Sequence, residues 1–181
     1  MIYENSLTGK YVSLRSAIEE DAAFIIEIRN DSSKNGFVHD VDYDLQKEVK
    51  WIRDQQHREG YYFFSIVSHK KEEIVGNISI CNIDKSQNNG ELGRWVSYGS
   101  SIENLESVIL THDFAFDVLG LDYVYTKTLQ DNKKVVSFWK RFGGLGENNK
   151  IMCGKTIYYN VVNRLDYKGS IRNKFVKLLE G

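Results

Sequence analysis

Arg29 is a charged side chain in an apolar pattern. Between Asp21 and Asn30, Ala22, Ile25 and Ile26 follow helical spacing, and Arg29 lies i+7, i+4 and i+3 from them. A guanidinium on that inward stripe needs a partner, because an unpaired buried charge is costly. It either holds an anion or, with Asn30 as a cap, acts as the cation favoured at a helix C-terminus. A second chemical locus is Gly99-Ser100-Ser101-Ile102-Glu103-Asn104-Leu105. Ser100 and Glu103 have capping-box spacing, and the helix they open has N–H groups and a dipole that favour an anion. The Glu103 carboxylate opposes an anion at that end. The remaining reactive types argue against other chemistries. Cys81 and Cys153 lack metal-type spacing and lie near no His/Asp arrangement that would suggest a thiol nucleophile. His39, His57, His69 and His112 show no paired spacing and no accompanying cluster, so no metal is expected.

Composition narrows the classes further. The chain of 181 residues fits one domain, 1–181, with 41% hydrophobic and 27% charged residues. With 24 basic against 25 acidic side chains, the net charge is −1, and no broad cationic field exists to draw nucleic acid. No apolar stretch reaches the roughly 18 residues that span a bilayer, and Met1 to Lys10 lacks a signal-peptide core. Two thiols in a reducing cytoplasm complete the expectation.

These loci require positioning elements. Lys10–Leu14 has strand character, and helices are expected over Asp21–Asn30 and Leu45–Arg58, the latter with Val49 and Ile52 inward. Tyr61–Val67 and Ile74–Ile83 form a hairpin pattern, followed by a turn at Asn88-Asn89-Gly90 and a strand over Glu91–Tyr98. Ile102–Leu119 is the longest helical stretch, with His112 on its apolar side and Gly120 as its stop. A strand over Asp122–Thr128 leads to a helix capped by Asp131 or Asn132, which sets Val135, Phe138, Trp139 and Phe142 on one face. Two strands flank Gly154-Lys155, the second running over Thr156–Tyr167. A helix over Ser170–Leu179 then turns Ile171, Phe175 and Leu178 inward. The implied architecture is α/β (α+β), a mixed sheet with helices on both faces.

This order and three local phrases resemble the Gcn5-related N-acetyltransferase (GNAT) superfamily. Glu91-Leu92-Gly93-Arg94-Trp95-Val96 is similar to its fourth strand. Asp113-Phe114-Ala115-Phe116 with Leu119-Gly120-Leu121 is similar to the end of its cofactor helix, and Asn132 to Gly143 to its last core helix. The resemblance covers nearly the whole chain. Within the family it points to the RimJ/RimL-type protein acetyltransferases and the nucleotide-amino-sugar acetyltransferases, with Ile28-Arg29-Asn30 favouring the latter.

The resemblance implies a mostly antiparallel GNAT sheet whose fourth and fifth strands splay to admit acetyl-CoA as cosubstrate. Its pantetheine arm would pair with the backbone of Trp95, Val96 and Ser97. Its diphosphate would sit on the helix N-terminus at Ile102, Glu103, Asn104 and Leu105, with Asn132 and Trp139 also on the cofactor. Only Gly99 remains of the family's glycine-rich loop. Glu91 would deprotonate the amine, the alternative being a solvated turn residue. By strand alternation it shares a face with Trp95. Trp139 stands where relatives carry a tyrosine acid, and indole cannot replace that acid; either another group does, with Tyr98, Tyr125 and Tyr158 as candidates, or the thiolate leaves with hydrogen-bond stabilisation alone. Arg29 and Asn30 would hold the acceptor. The expected reaction is direct acetyl transfer to a primary amine, that of a nucleotide-linked amino sugar. The alternatives are a protein N-terminus or a GNAT-shaped module without turnover. The expected partner is a small-molecule amine, with neither nucleic acid nor membrane, and a homodimer is left open.

Overall fold

Runs of β-branched and aromatic residues become the strands of one sheet in the computed structural model, which describes residues 1–31, 42–152 and 154–180. The strands are β1 (Leu7–Thr8), β2 (Val12–Ser16), β3 (Tyr62–Ser68), β4 (Glu73–Asp84), β5 (Asn89–Ser97), β6 (Tyr123–Leu129), β7 (Leu145–Met152) and β8 (Lys155–Asn163). Their order across the sheet is β1-β2-β3-β4-β5-β6-β8-β7. Among the described residues β5 and β6 are the parallel pair, and the other neighbours are antiparallel.

Helices cover both faces. On one lie α1 (Ala22–Asn30) and α2 (Leu45–His57), where Ile25 and Ile52 pack with Phe63, Tyr61 and Cys81. On the other lie α3 (Ser101–Asp113), α4 (Lys133–Phe142) and α5 (Arg172–Glu180), enclosing the larger core around Phe64, Ile78, Ile80, Phe114 and Trp139. Asp44 caps α2 by accepting from the Gln46 and Lys47 amides, and Asn132 caps α4 by accepting from Val135 N. Gly143 ends α4 at φ 104°, in the left-handed region that glycine tolerates.

Several sequence expectations shift. The long helix divides at Asp113 into α3 and a π-turn over Phe114–Val118. The last strand stops at Asn163 rather than Tyr167, because Asn163 Oδ1 accepts from Asp166 N and starts a helical run leading to α5. On that run Leu179, not Leu178, joins Ile171 and Phe175 in the core, and Leu178 remains exposed. Asp31, not Asn30, occupies the C-cap of α1. His112 is fully buried beside Phe142 and Tyr167, its Nδ1 donating to Val108 O, and burial pushes its pKa down to about 4. It is a core residue. His39 and Cys153 lie outside the described residues.

One buried carboxylate ties the layers together. Glu106 of α3 accepts from the amides of Lys10, Tyr11 and Val12 at 2.7, 2.6 and 2.8 Å, fixing the start of β2 onto the helix.

Candidate active site

The parallel pair fails early. β5 and β6 pair at Asn89–Tyr123, Gly90–Val124 and Glu91–Tyr125, after which the two strands run on unpaired to Ser97 and Leu129. Gly90 belongs to the strand rather than to the expected turn, because the strands approach closely there. A Cβ at this position would lie 3.0 Å from Leu121 Cδ1 and 3.3 Å from Ile80 Cγ2. The gap beyond is a cavity of about 830 Å³ lined from both faces of the sheet.

A bulge decides what faces each side. Gly93 pairs with Ser79 and Val96 with Asn77, so Arg94 and Trp95 together oppose Ile78. Arg94 adopts φ 49°, the left-handed region uncommon for a side chain of its size. The extra residue reverses the alternation, and the expectation that Glu91 and Trp95 share a face is therefore corrected. Glu91 stands opposite Cys81 on the α1/α2 side. Trp95 turns to the α3/α4 side, 5.0 Å from the Phe138 ring and 5.7 Å from that of Trp139. Arg94 stays with Glu91, its guanidinium 4.5 Å over the Trp51 ring.

On the α1/α2 side, Glu91 Oε2 accepts from Lys127 Nζ at 2.8 Å and from Asn82 Nδ2 at 3.1 Å. Oε1 accepts no hydrogen bond from the described residues and lies 3.7 Å from where a Gly93 Cβ would be. The missing side chain of Gly93 leaves that oxygen open to the cavity. Arg29, Arg58, Arg94 and Lys127 also line this side. Burial first, and then the charge of Glu91, push the Cys81 thiol up to about 11, so it is no thiolate nucleophile at neutral pH. Burial pushes the neighbouring Tyr61 phenol up to about 12.

The α3/α4 side is largely apolar. Trp95, Trp139, Val135 and Leu92 line it with Thr126, Thr128 and Asn132. Trp139 is only 2% exposed, so it is core and cavity floor at once. Trp95 Nε1 and Thr126 Oγ1 are buried without a hydrogen-bond partner among the described residues. Such atoms are costly unless a ligand or water satisfies them.

Of the residues singled out by sequence, Arg29, Glu91, Trp95, Asn132 and Trp139 surround this one cavity. Val96 and Ser97 end β5 beyond it, Asn30 ends α1, and Ile102, Glu103, Asn104 and Leu105 form the first turns of α3. The capping box is present. Ser100 Oγ accepts from Glu103 N, and Glu103 accepts from Ser100 N and from the Ser68 hydroxyl. Burial would raise the Glu103 pKa, but these hydrogen bonds outweigh it and hold the carboxyl below its ordinary value. Asn104 donates to Gly99 O at 2.9 Å and Leu105 packs on the core, so these side chains serve the fold. The amides of Ser101 and Ile102 remain as first-turn donors with no intrahelical acceptor.

The tyrosines considered as acids are elsewhere. Tyr98 donates to Asp31 at 2.9 Å, Tyr125 stacks on Tyr159 and Tyr158 is buried; none lines the cavity. Burial is the first cause pushing Tyr98 and Tyr125 up to about 12. Sequence reasoning missed Arg94, Arg58 and Lys127, because a lone cation at a helix end or within an alternating strand ordinarily faces solvent. The Asn82 contact was equally hidden, since a second bulge near Cys81–Asp84 creates it.

Comparison with known proteins agrees with this geometry. The family model for the acetyltransferase (GNAT) domain matches residues 12–144. No curated protein sequence matches the chain significantly. Among solved structures, the chain is similar to apo FdhC, described as a nucleotide-linked sugar GNAT, at TM-score 0.83 and 22% identity, covering 99% of this chain and 98% of that one. It is similar to a GCN5-related N-acetyltransferase from Brucella melitensis at TM-score 0.83 and 15% identity, over 98% and 86%. It is also similar to the spermidine N-acetyltransferase from Vibrio cholerae in complex with CoA and spermine, at TM-score 0.76 and 14% identity, over 87% and 98%. These likenesses establish the fold, and the family match covers the greater part of the chain. The protein thus belongs to the GNAT family and is an acetyl-CoA-dependent N-acetyltransferase.

Proposed function

We propose that the protein acetylates the primary amine of a nucleotide-linked amino sugar, with Glu91 as the base. The observation that carries this reading is the charge of the α1/α2 side of the cavity. Among the described residues that line it, Arg29, Arg58, Arg94 and Lys127 stand with one carboxylate, Glu91. A polyamine acceptor would bring several positive charges into that field, whereas a nucleotide would bring compensating phosphates. The similarity to FdhC, a nucleotide-linked sugar GNAT by its description, supports the same direction.

Acetyl-CoA would lie on the opposite side. The β5 backbone at Trp95, Val96 and Ser97, left unpaired toward β6, offers donors and acceptors to an amide-bearing arm, and Trp95 Nε1 and Thr126 Oγ1 are unsatisfied polar atoms beside it. The first-turn amides of α3 suit its diphosphate. Asn132 and Trp139 complete that wall. The open Oε1 of Glu91 would accept a proton from the incoming amine, directly or through one water. Lys127 and Asn82 hold the carboxylate in place. Tyr61 lines the opposite, α1/α2 side, so beside the cofactor the hydroxyls of Thr126 and Thr128 can stabilise a leaving thiolate only as hydrogen-bond donors.

The test is release of free coenzyme A with three acceptors: nucleoside-diphosphate amino sugars, spermidine, and a peptide with a free N-terminus. Turnover is expected with the first. Efficient spermidine or peptide acetylation, with none of the sugar nucleotides used, would overturn the reading.

A further inference from the structure

The bulge that turns Trp95 away also places Arg94 on the face opposite to the one that simple strand alternation predicts. Its guanidinium lies 4.5 Å over the Trp51 ring and 6.0 Å from the Tyr61 ring centroid, on the same side of the cavity as Arg29. Arg94 makes no salt bridge among the described residues. The acid that feels its charge is Glu48 of α2, 6% exposed, with Oε1 buried and without a hydrogen-bond partner among the described residues. Arg29 and Arg94 are close enough to repel. Burial first, and then the charge of Arg94, hold the Arg29 pKa below its ordinary value, while Glu48 acts in the opposite sense. Burial raises the Glu48 pKa, and the two arginines oppose that rise.

Arg29 and Arg94 bring two guanidiniums to a partly desolvated cavity wall, and that of Arg94 has no salt-bridge partner among the described residues. Gathering like charges this way is unfavourable by itself, and an anion entering the cavity offsets it. Arginine suits the task because its planar fork matches phosphate oxygens and its face stacks on an aromatic ring. Trp51 supplies that ring and restricts the guanidinium before any ligand arrives, which reduces the ordering cost of binding.

We propose that Arg94, buttressed by Trp51, is a phosphate-binding residue for the acceptor and selects anionic over cationic amines. This rests on the nucleotide-sugar reading above and adds the residue that enforces it. The α1/α2 side then recognises the nucleotide, and Glu91, on the same face of the same strand, meets the amine.

Uridine and thymidine diphosphate are the probes, titrated calorimetrically in saturating coenzyme A so that the cofactor's own diphosphate site is filled. Wild-type protein is expected to bind at least one. Arg94→Gln should weaken that binding by on the order of 10- to 100-fold, the scale of a charge-assisted hydrogen bond, and leave coenzyme A affinity unchanged. Arg94→Lys, which keeps the charge but loses the fork and the stack, should fall between the two. It also carries the test if Arg94→Gln does not fold. Unchanged diphosphate affinity in Arg94→Gln, or in Arg94→Lys where only that variant folds, overturns the role of Arg94 and leaves the nucleotide-sugar reading standing. Failure of wild type to bind either diphosphate, together with spermidine turnover, removes the reading and the inference with it.

Discussion

Lys127 Nζ sits 2.8 Å from Glu91 Oε2 across the first step where β5 and β6 no longer pair. Glu91 is the last β5 residue in register with β6, opposite Tyr125, and Lys127 lies two residues further along β6 on the same face. The ion pair thus spans the opening of the cavity. It uses one carboxylate oxygen and leaves the other to the site.

Glu91→Gln should lower kcat/KM by roughly 10²- to 10⁴-fold, the usual contribution of a positioned base. Coenzyme A affinity should stay at the wild-type level. Retention of nearly full turnover at neutral pH would remove Glu91 from the chemistry and leave it as the partner of Lys127.

Arg29→Ala should raise the acceptor KM by on the order of 10- to 150-fold, corresponding to the roughly 1.5–3 kcal/mol of a hydrogen bond to a charged group. Acetyl-CoA affinity should be unaltered. A thermal melt separates this from a structural role. Strong destabilisation with unchanged acceptor kinetics would make Arg29 a counter-ion of Glu48 only.

Acetyl-CoA at about 100 times its dissociation constant should add about 2.7 kcal/mol of stability, on the order of 5–10 °C in Tm for a domain of this size. Glu103→Gln should preserve or tighten that binding, since it removes a negative charge from the first turn of α3. It should also cost about 1 kcal/mol through the weakened cap and the Ser68 contact. A large loss of affinity with the fold intact would mean that the Glu103 carboxylate contacts the cofactor productively.

Acid should destabilise the protein through Asp21. Burial alone would raise its pKa, but two hydrogen bonds from Arg15, one from the Ser65 hydroxyl and one from Ile18 N outweigh it and hold the carboxyl below 3.8. Because the folded-state value lies below the unfolded one, the contribution is complete above the unfolded pKa. It is lost as pH falls through the folded value. Urea midpoints from pH 7 to pH 3 should decline more steeply for wild type than for Asp21→Asn. Parallel curves would show that other carboxylates govern the acid limb.

Local chemistry was sufficient for much of this protein. Apolar periodicity placed the helices now seen as α1, α2 and α4. The hydroxyl and carboxylate of Ser100 and Glu103 made the cap that their spacing called for, and Asn132 opened α4. These features depend on neighbours within four residues, so the sequence contains both partners. The phrase around Glu91 to Val96 was enough to identify the strand, but not which way its side chains point. That depends on the register with β4, where Arg94 and Trp95 share one partner, Ile78. Nothing local requires an arginine at φ 49°; the pairing of the neighbouring strand imposes it. Only the tertiary structure could therefore put Trp95 with Trp139 and Arg94 with Trp51, on opposite sides of the sheet. The cationic wall arose in the same way, since Arg29, Arg58, Arg94 and Lys127 come from four separate segments. Arg29 stood out on its apolar stripe, but Arg58, Arg94 and Lys127 had the appearance of ordinary surface charges until the fold brought all four to one cavity.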